Sequence, residues 1–162
     1  MGGVRTRAPN SFLVPPGSGR LNRMRMLYKV PAVEAGGSVS IFERVVQPGT
    51  GVGAHTHARE DEFTYILAGE VSFEVGSAKF AAGPGSYVIK PRRVSHGFRN
   101  TGDQPARVIE VTVPGNLDRY YDELATLSAA TDASATARHE AVSALGTRYG
   151  IRWHCPSAEE GE

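Results

Sequence analysis

Short apolar runs separated by glycine or proline occupy the middle of the chain, from about residue 26 to residue 113. Several runs alternate apolar and polar residues, and this period of two is typical of strands with one buried face. They recur roughly every 8–12 residues, a spacing that indicates a β-sandwich or barrel rather than alternating strands and helices. Tight hairpins are predicted at Gly69-Glu70 and Gly76-Ser77. The runs are MLYKV, SVSIFERVV, EFTYILAGE, VSFEVG, AKFAAG, SYVIKP, HGFRN and ARVIEVTV.

A helical period replaces this pattern after Pro114-Gly115. One helix is predicted from the apolar spacing of Leu117, Tyr120, Tyr121, Leu124 and Leu127, whose two tyrosines are expected to pack it against the strands. A second is predicted from Ala141, Val142, Leu145 and Tyr149, with Gly150 suited to end it. The composition of SAATDASATA, between them, is that of a linker. The sequence predicts an all-β domain over residues 21–115, a helical extension over 116–162 and a tail over 1–20.

The composition of the chain limits the number of domains, the partners and the location that can be expected for this protein. The chain has 162 residues, 40% of them hydrophobic, which is enough for one core. The net charge of +1 gives no reason to expect nucleic acid or a membrane surface as a partner. No apolar run approaches the roughly 18 residues that span a bilayer, and no secretory signal is recognisable. Cys155 has no partner for an internal disulfide, so a cytoplasmic location is expected.

Four polar residues stand out among the apolar runs. His55 and His57 share one face of a strand, because side chains alternate along it. Glu62 opens the next apolar run, and His96 follows a proline-directed turn. Three imidazoles and a carboxylate are ligands that suit a divalent transition metal. Glu60 and Asp61 are expected on an exposed turn, from which they could orient the ligand histidines.

The spacing of these residues resembles the two signature motifs of the cupin superfamily. The first motif is matched by Gly49, His55, His57, Glu62 and Gly69, and the second by Gly85, Pro91, Val94, His96 and Asn100. One position departs from the pattern, since Arg93 replaces a glycine in a turn that favours positive φ. An arginine there could meet an anionic or phenolate substrate at the mouth of the pocket.

The wider sequence is similar to small single-domain cupins of the quercetin-dioxygenase-like type. This resemblance implies a double-stranded β-helix, or jelly-roll, barrel and a homodimer, with SFLV near the N-terminus as an added strand. It also implies one metal ion per chain, held by His55, His57, Glu62 and His96. Iron, manganese, nickel, cobalt, copper and zinc all suit such ligands.

A small-molecule substrate is the expected partner, with dioxygen as a second one. Glu62 is the candidate general base for a substrate hydroxyl acidified by the metal. Candidate substrate contacts, from strand parity and the turn, are Thr64, Ile66, Phe98, Asn100 and Arg93. Oxidative cleavage of a flavonol-like, enolic or phenolic substrate is slightly favoured. The alternatives are a non-oxidative cyclase, isomerase or dehydratase of polyketide or other natural-product biosynthesis, and a non-catalytic ligand-binding barrel.

Overall fold

The alternating runs of the sequence form two antiparallel β-sheets in the computed structural model, which describes residues 13–129 and 134–154. A short 3-10 helix, Ala32–Ala35, follows the second strand. The strands and helices are β1 (Arg20–Leu21), β2 (Leu27–Val30), β3 (Ser40–Val46), β4 (Gly51–His57), β5 (Asp61–Ala68), β6 (Val71–Val75), β7 (Ala78–Ala82), β8 (Tyr87–Lys90), β9 (His96–Arg99), β10 (Ala106–Val113), α1 (Leu117–Ala129), α2 (Ala135–Tyr149) and β11 (Ile151–Trp153). All eight runs read from the sequence contain strands, so that prediction is confirmed.

The two sheets enclose one apolar core. The first sheet has the strand order β1-β2-β3-β10-β5-β8, and the second has the order β11-β4-β9-β6-β7. Their inward side chains meet in a cluster of Val46, Ile66, Val71, Phe73, Ala82, Val88, Phe98, Ala106 and Val108. Consecutive strands change sheets repeatedly, as in a jelly roll, and the predicted fold class is confirmed.

One of the two predicted hairpins is present and the other is not. Gly76-Ser77 joins β6 to β7, which pair with each other as predicted. Gly69-Glu70 joins β5 to β6, but these strands lie in different sheets, so the hairpin prediction was wrong there. The glycine is needed for another reason. Gly69 has φ +74°, and a Cβ atom on it would lie 2.8 Å from the Cα atom of Ala106.

The C-terminal extension contains the two predicted helices. The Ser134 hydroxyl accepts a hydrogen bond from the Ala137 N–H at 3.2 Å, which caps α2 at its start. Gly150 has φ 76° just after α2, as its proposed role at the helix end requires. The linker is shorter than predicted, because Ser128 and Ala129 belong to α1 and 135–137 belong to α2. Residues 130–133 lie outside the described part of the chain.

The extension is not purely helical. Near the end of the described chain, Ile151–Trp153 form β11, which pairs with β4 and so extends the second sheet. Three residues are too few to display a period, and pairing between strands distant in sequence gives no local signal. At the other end, Leu13 and Val14 are not in a strand, whereas the rest of the SFLV segment lies outside the described residues, as does Cys155. No described helix has the length and apolar character needed to cross a membrane.

Candidate metal centre and its cavity

Four predicted ligands converge at one point inside the barrel. His55 and His57 come from β4, Glu62 from β5 and His96 from β9. His55 lies directly opposite His96 in the β4–β9 pair, so both side chains leave the sheet on the same face. All four side chains are buried, and one ligand atom from each lies within 4.8 Å of the others. The cluster could therefore hold a single metal ion.

Backbone carbonyl groups orient two of the imidazoles. The Nδ1 atom of His55 lies 2.8 Å from the carbonyl oxygen of Gly53, and the Nδ1 atom of His96 lies 3.0 Å from that of Val94. An Nδ1–H donor in each ring leaves the Nε2 lone pair available for a ligand bond. The Nε2 atom of His96 is buried 3.3 Å from Oε2 of Glu62 and makes no hydrogen bond of good geometry in the described chain. That orphaned nitrogen is one that a bound cation would satisfy.

The third imidazole, that of His57, has the carboxylate of Glu60 beside its Nδ1 atom, where the other two imidazoles have a backbone carbonyl group. The Oε2 atom of Glu60 lies 3.7 Å from the Nδ1 atom of His57, and neither atom has a hydrogen-bond partner among the described residues. Glu60 is only 1% exposed, so its predicted place on an exposed turn was wrong. Glu60 directly precedes β5 and is the third residue after His57, so this short connection brings its side chain back to the histidine. The carboxylate is placed to orient His57, which was the role considered for it.

The protonation states of His55 and Glu62 favour the binding of a cation. Burial lowers the pKa of His55 to about 3, so this imidazole is neutral at physiological pH. Burial alone would raise the pKa of Glu62, but the Lys90 ammonium and nearby hydrogen bonds hold it well below its usual range. A neutral imidazole and an ionised carboxylate are the forms that bind a metal. The donor set and its protonation therefore fit a divalent cation.

A second layer of buried polar groups, which was not predicted from the sequence, lies behind Glu62. The Nζ atom of Lys90 lies 3.3 Å from Oε2 of Glu62 and 3.0 Å from Oε2 of Glu110. Thr64 donates its hydroxyl to Oε1 of Glu110 at 3.1 Å. Burial and the neighbouring Glu62 raise the pKa of Glu110 to about 8, against the opposing effect of Lys90. A charged residue at an inward position of an apolar strand was the available signal, since Lys90 has the same parity as the core residue Val88.

A cavity of about 170 Å³ opens beside the cluster. His55 and His57 form part of its lining, and Arg44 of β3 contributes a cation. Much of the remaining wall comes from the C-terminal extension through Tyr120, Tyr121, Leu124, Ile151 and Trp153. The two tyrosines pack their helix against the barrel, as expected, and also face this space. The extension therefore builds a large part of the cavity, which the sequence pattern did not reveal.

The structure places four of the predicted substrate contacts outside the cavity lining. Thr64 is bonded to Glu110, while Ile66 and Phe98 belong to the apolar core. Asn100 donates to the carbonyl oxygens of Val46 and Gln104 and accepts from the N–H of Gly102, so its amide is occupied in a turn. Each residue thus has a structural partner in the fold. Their roles as substrate contacts stay predictions.

Arg93 adopts the backbone conformation expected of the glycine it replaces. Its φ is 65°, and its N–H donates to the carbonyl oxygen of His57 at 2.7 Å. The side chain is exposed and lines a separate, open groove of about 660 Å³ with residues that include Thr56, Arg152 and His154. The turn therefore tolerates the arginine while keeping a backbone contact to a ligand strand. The structure does not bring Arg93 into the lining of the cavity beside His55.

Comparisons with known proteins place the barrel in a family. Residues 42–112 match the family model described as the Cupin domain. Protein SchB of Streptomyces halstedii is 32% identical over 96 residues, which cover 59% of this chain and 69% of that protein. Polyketide synthase CurC of Streptomyces cyaneus is 28% identical over 65 residues, 40% of this chain and 42% of CurC.

Solved structures agree at the level of the fold. A protein of Thermotoga maritima described as a predicted oxalate decarboxylase aligns with a TM-score of 0.53 and 24% identity, over 55% of this chain and 78% of that one. KdgF from Halomonas sp. aligns with a TM-score of 0.53 and 19% identity, over 59% and 82% of the two chains. The narrower likeness to quercetin-dioxygenase-like cupins stays a prediction. By its motifs, its barrel and its relatives, this chain belongs to the cupin superfamily.

Proposed function

We propose that this cupin is a metal-dependent enzyme that converts a small aromatic or enolic intermediate of polyketide type without consuming dioxygen. One observation carries the proposal: four ligand atoms within 4.8 Å of one another lie beside a cavity walled by aromatic side chains. The similarity to CurC, which is named a polyketide synthase, supports the substrate class. Oxidative ring cleavage is the competing reaction, and it would require the same four ligands.

His55, His57, Glu62 and His96 would hold the metal. A divalent cation there would supply a Lewis acid that lowers the pKa of a substrate hydroxyl or of a carbon acid next to a carbonyl group. Lys90 keeps Glu62 ionised from behind, which is the form that binds a cation and accepts a proton. The same ammonium group lowers the basicity of the carboxylate, so the substrate proton must be strongly acidified for the transfer to proceed. Glu62 is therefore assigned two roles, as a ligand and as the general base.

Arg44 is placed to stabilise the product of that proton transfer. It lines the same cavity as His55, and its guanidinium carbon lies 5.2 Å from the centre of the Phe98 ring. An enolate or phenolate carries a negative charge that a cation in a poorly hydrated cavity stabilises strongly. Arg44 thus replaces Arg93 as the residue expected to meet an anionic substrate.

The size and walls of the cavity limit the substrate. A cavity of about 150 Å³ can hold a benzene molecule, so about 170 Å³ accommodates one ring or a fragment of similar size. Val52, Leu124 and Tyr121 provide an apolar wall suited to a flat, unsaturated group. A larger substrate would have to insert one end, with the rest outside the cavity.

Turnover with and without dioxygen tests the proposal. Metal-loaded protein is incubated with a panel of ortho-hydroxyaryl ketones and cyclic 1,3-diketones, and products are identified by mass spectrometry. We expect isomerisation or loss of water at the same rate in anaerobic and aerated samples. Products that gain both atoms of dioxygen, and form only in air, would establish the dioxygenase instead. Tight binding without any product would indicate a ligand-binding barrel.

A further inference from the structure

Two hydrogen-bond donors in the cavity lining are left without partners. The hydroxyl group of Tyr120 and the indole Nε1–H of Trp153 are both buried, and neither makes a hydrogen bond within the described chain. Tyr120 is only 2% exposed. Burying such a group without a partner costs free energy, and phenylalanine would fill the same space without this penalty. Unpaired polar atoms in a cavity indicate that something else binds them.

The two donors lie next to each other and close to the metal cluster. Burial raises the pKa of Tyr120 to about 12, whereas the indole N–H of Trp153, which faces the hydroxyl oxygen without reaching the geometry of a full hydrogen bond, lowers it. Tyr120 therefore keeps its proton at neutral pH. Trp153 pairs with His55 across the β11–β4 ladder, and their ring centroids lie 4.9 Å apart. A ring bound beside His55 would thus lie within the same small space as both donors.

We propose that Tyr120 and Trp153 together bind an acceptor oxygen of the substrate, at the end of the molecule away from its metal-binding oxygens. The inference rests on the proposed function and adds a requirement to it. The substrate should be a planar ring with adjacent oxygens at one end and a carbonyl or phenolate oxygen at the other. Both donors lie outside residues 42–112, the part that matches the Cupin domain, so this preference belongs to the C-terminal extension.

A matched pair of small probes tests the inference. 3,4-Dihydroxybenzaldehyde has adjacent hydroxyls and a distal carbonyl, whereas 4-methylcatechol has a methyl group in place of that carbonyl. Both are titrated into protein loaded with Zn²⁺, which is diamagnetic and preserves NMR signals. Trp153 is the single tryptophan of the chain, so its indole N–H gives one assignable ¹H–¹⁵N signal. We expect the aldehyde, and not 4-methylcatechol, to move the indole proton downfield.

Conservative variants measure the same contact as affinity. Tyr120→Phe and Trp153→Phe should each weaken binding of the aldehyde by about 3- to 10-fold, the usual range for one hydrogen bond, and leave binding of 4-methylcatechol unchanged. Tyr149→Phe is the matched control. Its ring contacts Tyr120 at 5.6 Å between centroids, but its hydroxyl donates to Glu123 and it is not part of the cavity lining.

The outcomes separate this inference from the proposed function. No downfield movement of the indole proton by the aldehyde, with no effect of Tyr120→Phe or Trp153→Phe on its affinity, would overturn the donor pair and leave the metal-dependent function standing. The same result is expected if the pair binds only water. Failure of both probes to bind the loaded, unmodified protein would overturn the proposed substrate class and the donor pair together. The NMR comparison needs no variant, so it decides even if one variant does not fold.

Discussion

The indole ring of Trp153 lies against the imidazole of His55, with ring centroids 4.9 Å apart and an angle of 33° between the planes. The two residues are also register partners in the β11–β4 pair. A strand from the end of the described chain thus supports a candidate metal ligand in the middle of it. Because the Nδ1 atom of His55 is fixed by Gly53, the indole restricts the remaining motion of the ring.

Replacing Trp153 with alanine should therefore weaken metal binding. We expect about a tenfold rise in the Kd for Zn²⁺, as for other residues that orient a ligand, and a loss of about 1–3 kcal/mol in the free energy of unfolding. Competition with a chromophoric chelator measures the first and urea unfolding the second. Trp153→Phe keeps an aromatic ring against His55 and should restore most of the affinity. Unchanged affinity in Trp153→Ala would show that the indole does not orient His55.

His55→Ala should remove most of the bound metal while the barrel stays folded. The apolar core is built from other inward residues of both sheets, so loss of one imidazole should not unfold it. Metal content is measured by elemental analysis after dialysis, and folding by circular dichroism. His139→Ala, at an exposed position of α2, is the control and should retain the full metal content. Equal metal in His55→Ala and the parent would refute His55 as a ligand.

Glu60→Gln tests the orientation of the third imidazole. The Glu60 carboxylate lies 3.7 Å from the Nδ1 atom of His57, and the amide would preserve its shape without its charge. We expect metal affinity to fall by about tenfold, because a carboxylate beside a ligand imidazole raises its basicity. Glu70→Gln, in the exposed connection between β5 and β6, should leave affinity unchanged. Equal affinities in the two variants would remove Glu60 from the metal site.

The strands and the ligand set could be predicted because their signals are local. Alternation fixes the face of each residue, and the spacing of His55, His57, Glu62 and His96 follows the two cupin motifs. The structure then brings their ligand atoms within 4.8 Å. The positive φ of Arg93 was also accessible, because the cupin motif has a glycine at this position.

The cavity could not be predicted, because its walls come from segments distant in sequence. Tyr120 and Trp153 meet His55 only after α1 and β11 have docked on the barrel. The inward turn of Glu60 and the buried pair of Lys90 and Glu110 likewise depend on neighbouring strands. Polar residues at inward positions were visible in the sequence, but their partners were not. The period of two shows which face of a strand a residue lies on, but only the packed structure shows which residues it contacts.

Lys90 should be essential for stability, because its ammonium group compensates the buried carboxylate of Glu62 and also contacts Glu110, whose raised pKa of about 8 leaves it largely protonated at neutral pH. Lys90→Met should lower the free energy of unfolding by about 3–5 kcal/mol, the usual cost of removing one partner from a buried charge cluster. Adding Glu110→Gln should recover part of this loss, since the amide can still bind the Thr64 hydroxyl.

Urea unfolding of chelator-treated protein is the appropriate measurement, because bound metal would add its own stabilisation. Lys79→Met is the control on the exposed strand β7, where the Nζ atom lies 3.8 Å from Glu74 and a change within about 0.5 kcal/mol is expected. Equal stability of Lys90→Met and Lys79→Met would contradict the compensating role.

Exposed apolar side chains on the outer face of the first sheet indicate that the protein self-associates. Tyr87 and Ile89 of β8 are 76% and 62% exposed, and they adjoin Tyr65 and Phe63 of β5 on the same face. Contiguous apolar side chains on a sheet face are typical of protein interfaces. The homodimer implied by the family resemblance could use this surface, so Tyr87→Glu with Ile89→Glu should raise the dimer Kd by at least about tenfold, because the interface would bury unpaired charge.

Analytical ultracentrifugation of the parent and the variant over a range of concentrations measures this shift. Val33→Glu is the matched control: Val33 is 86% exposed in the short 3-10 helix, away from β8, and its replacement should leave the dimer intact. A parent protein that is monomeric at every concentration would refute self-association altogether. A dimer that survives the Tyr87 and Ile89 replacements would instead show that the copies meet through another surface, and that these exposed side chains have a different partner.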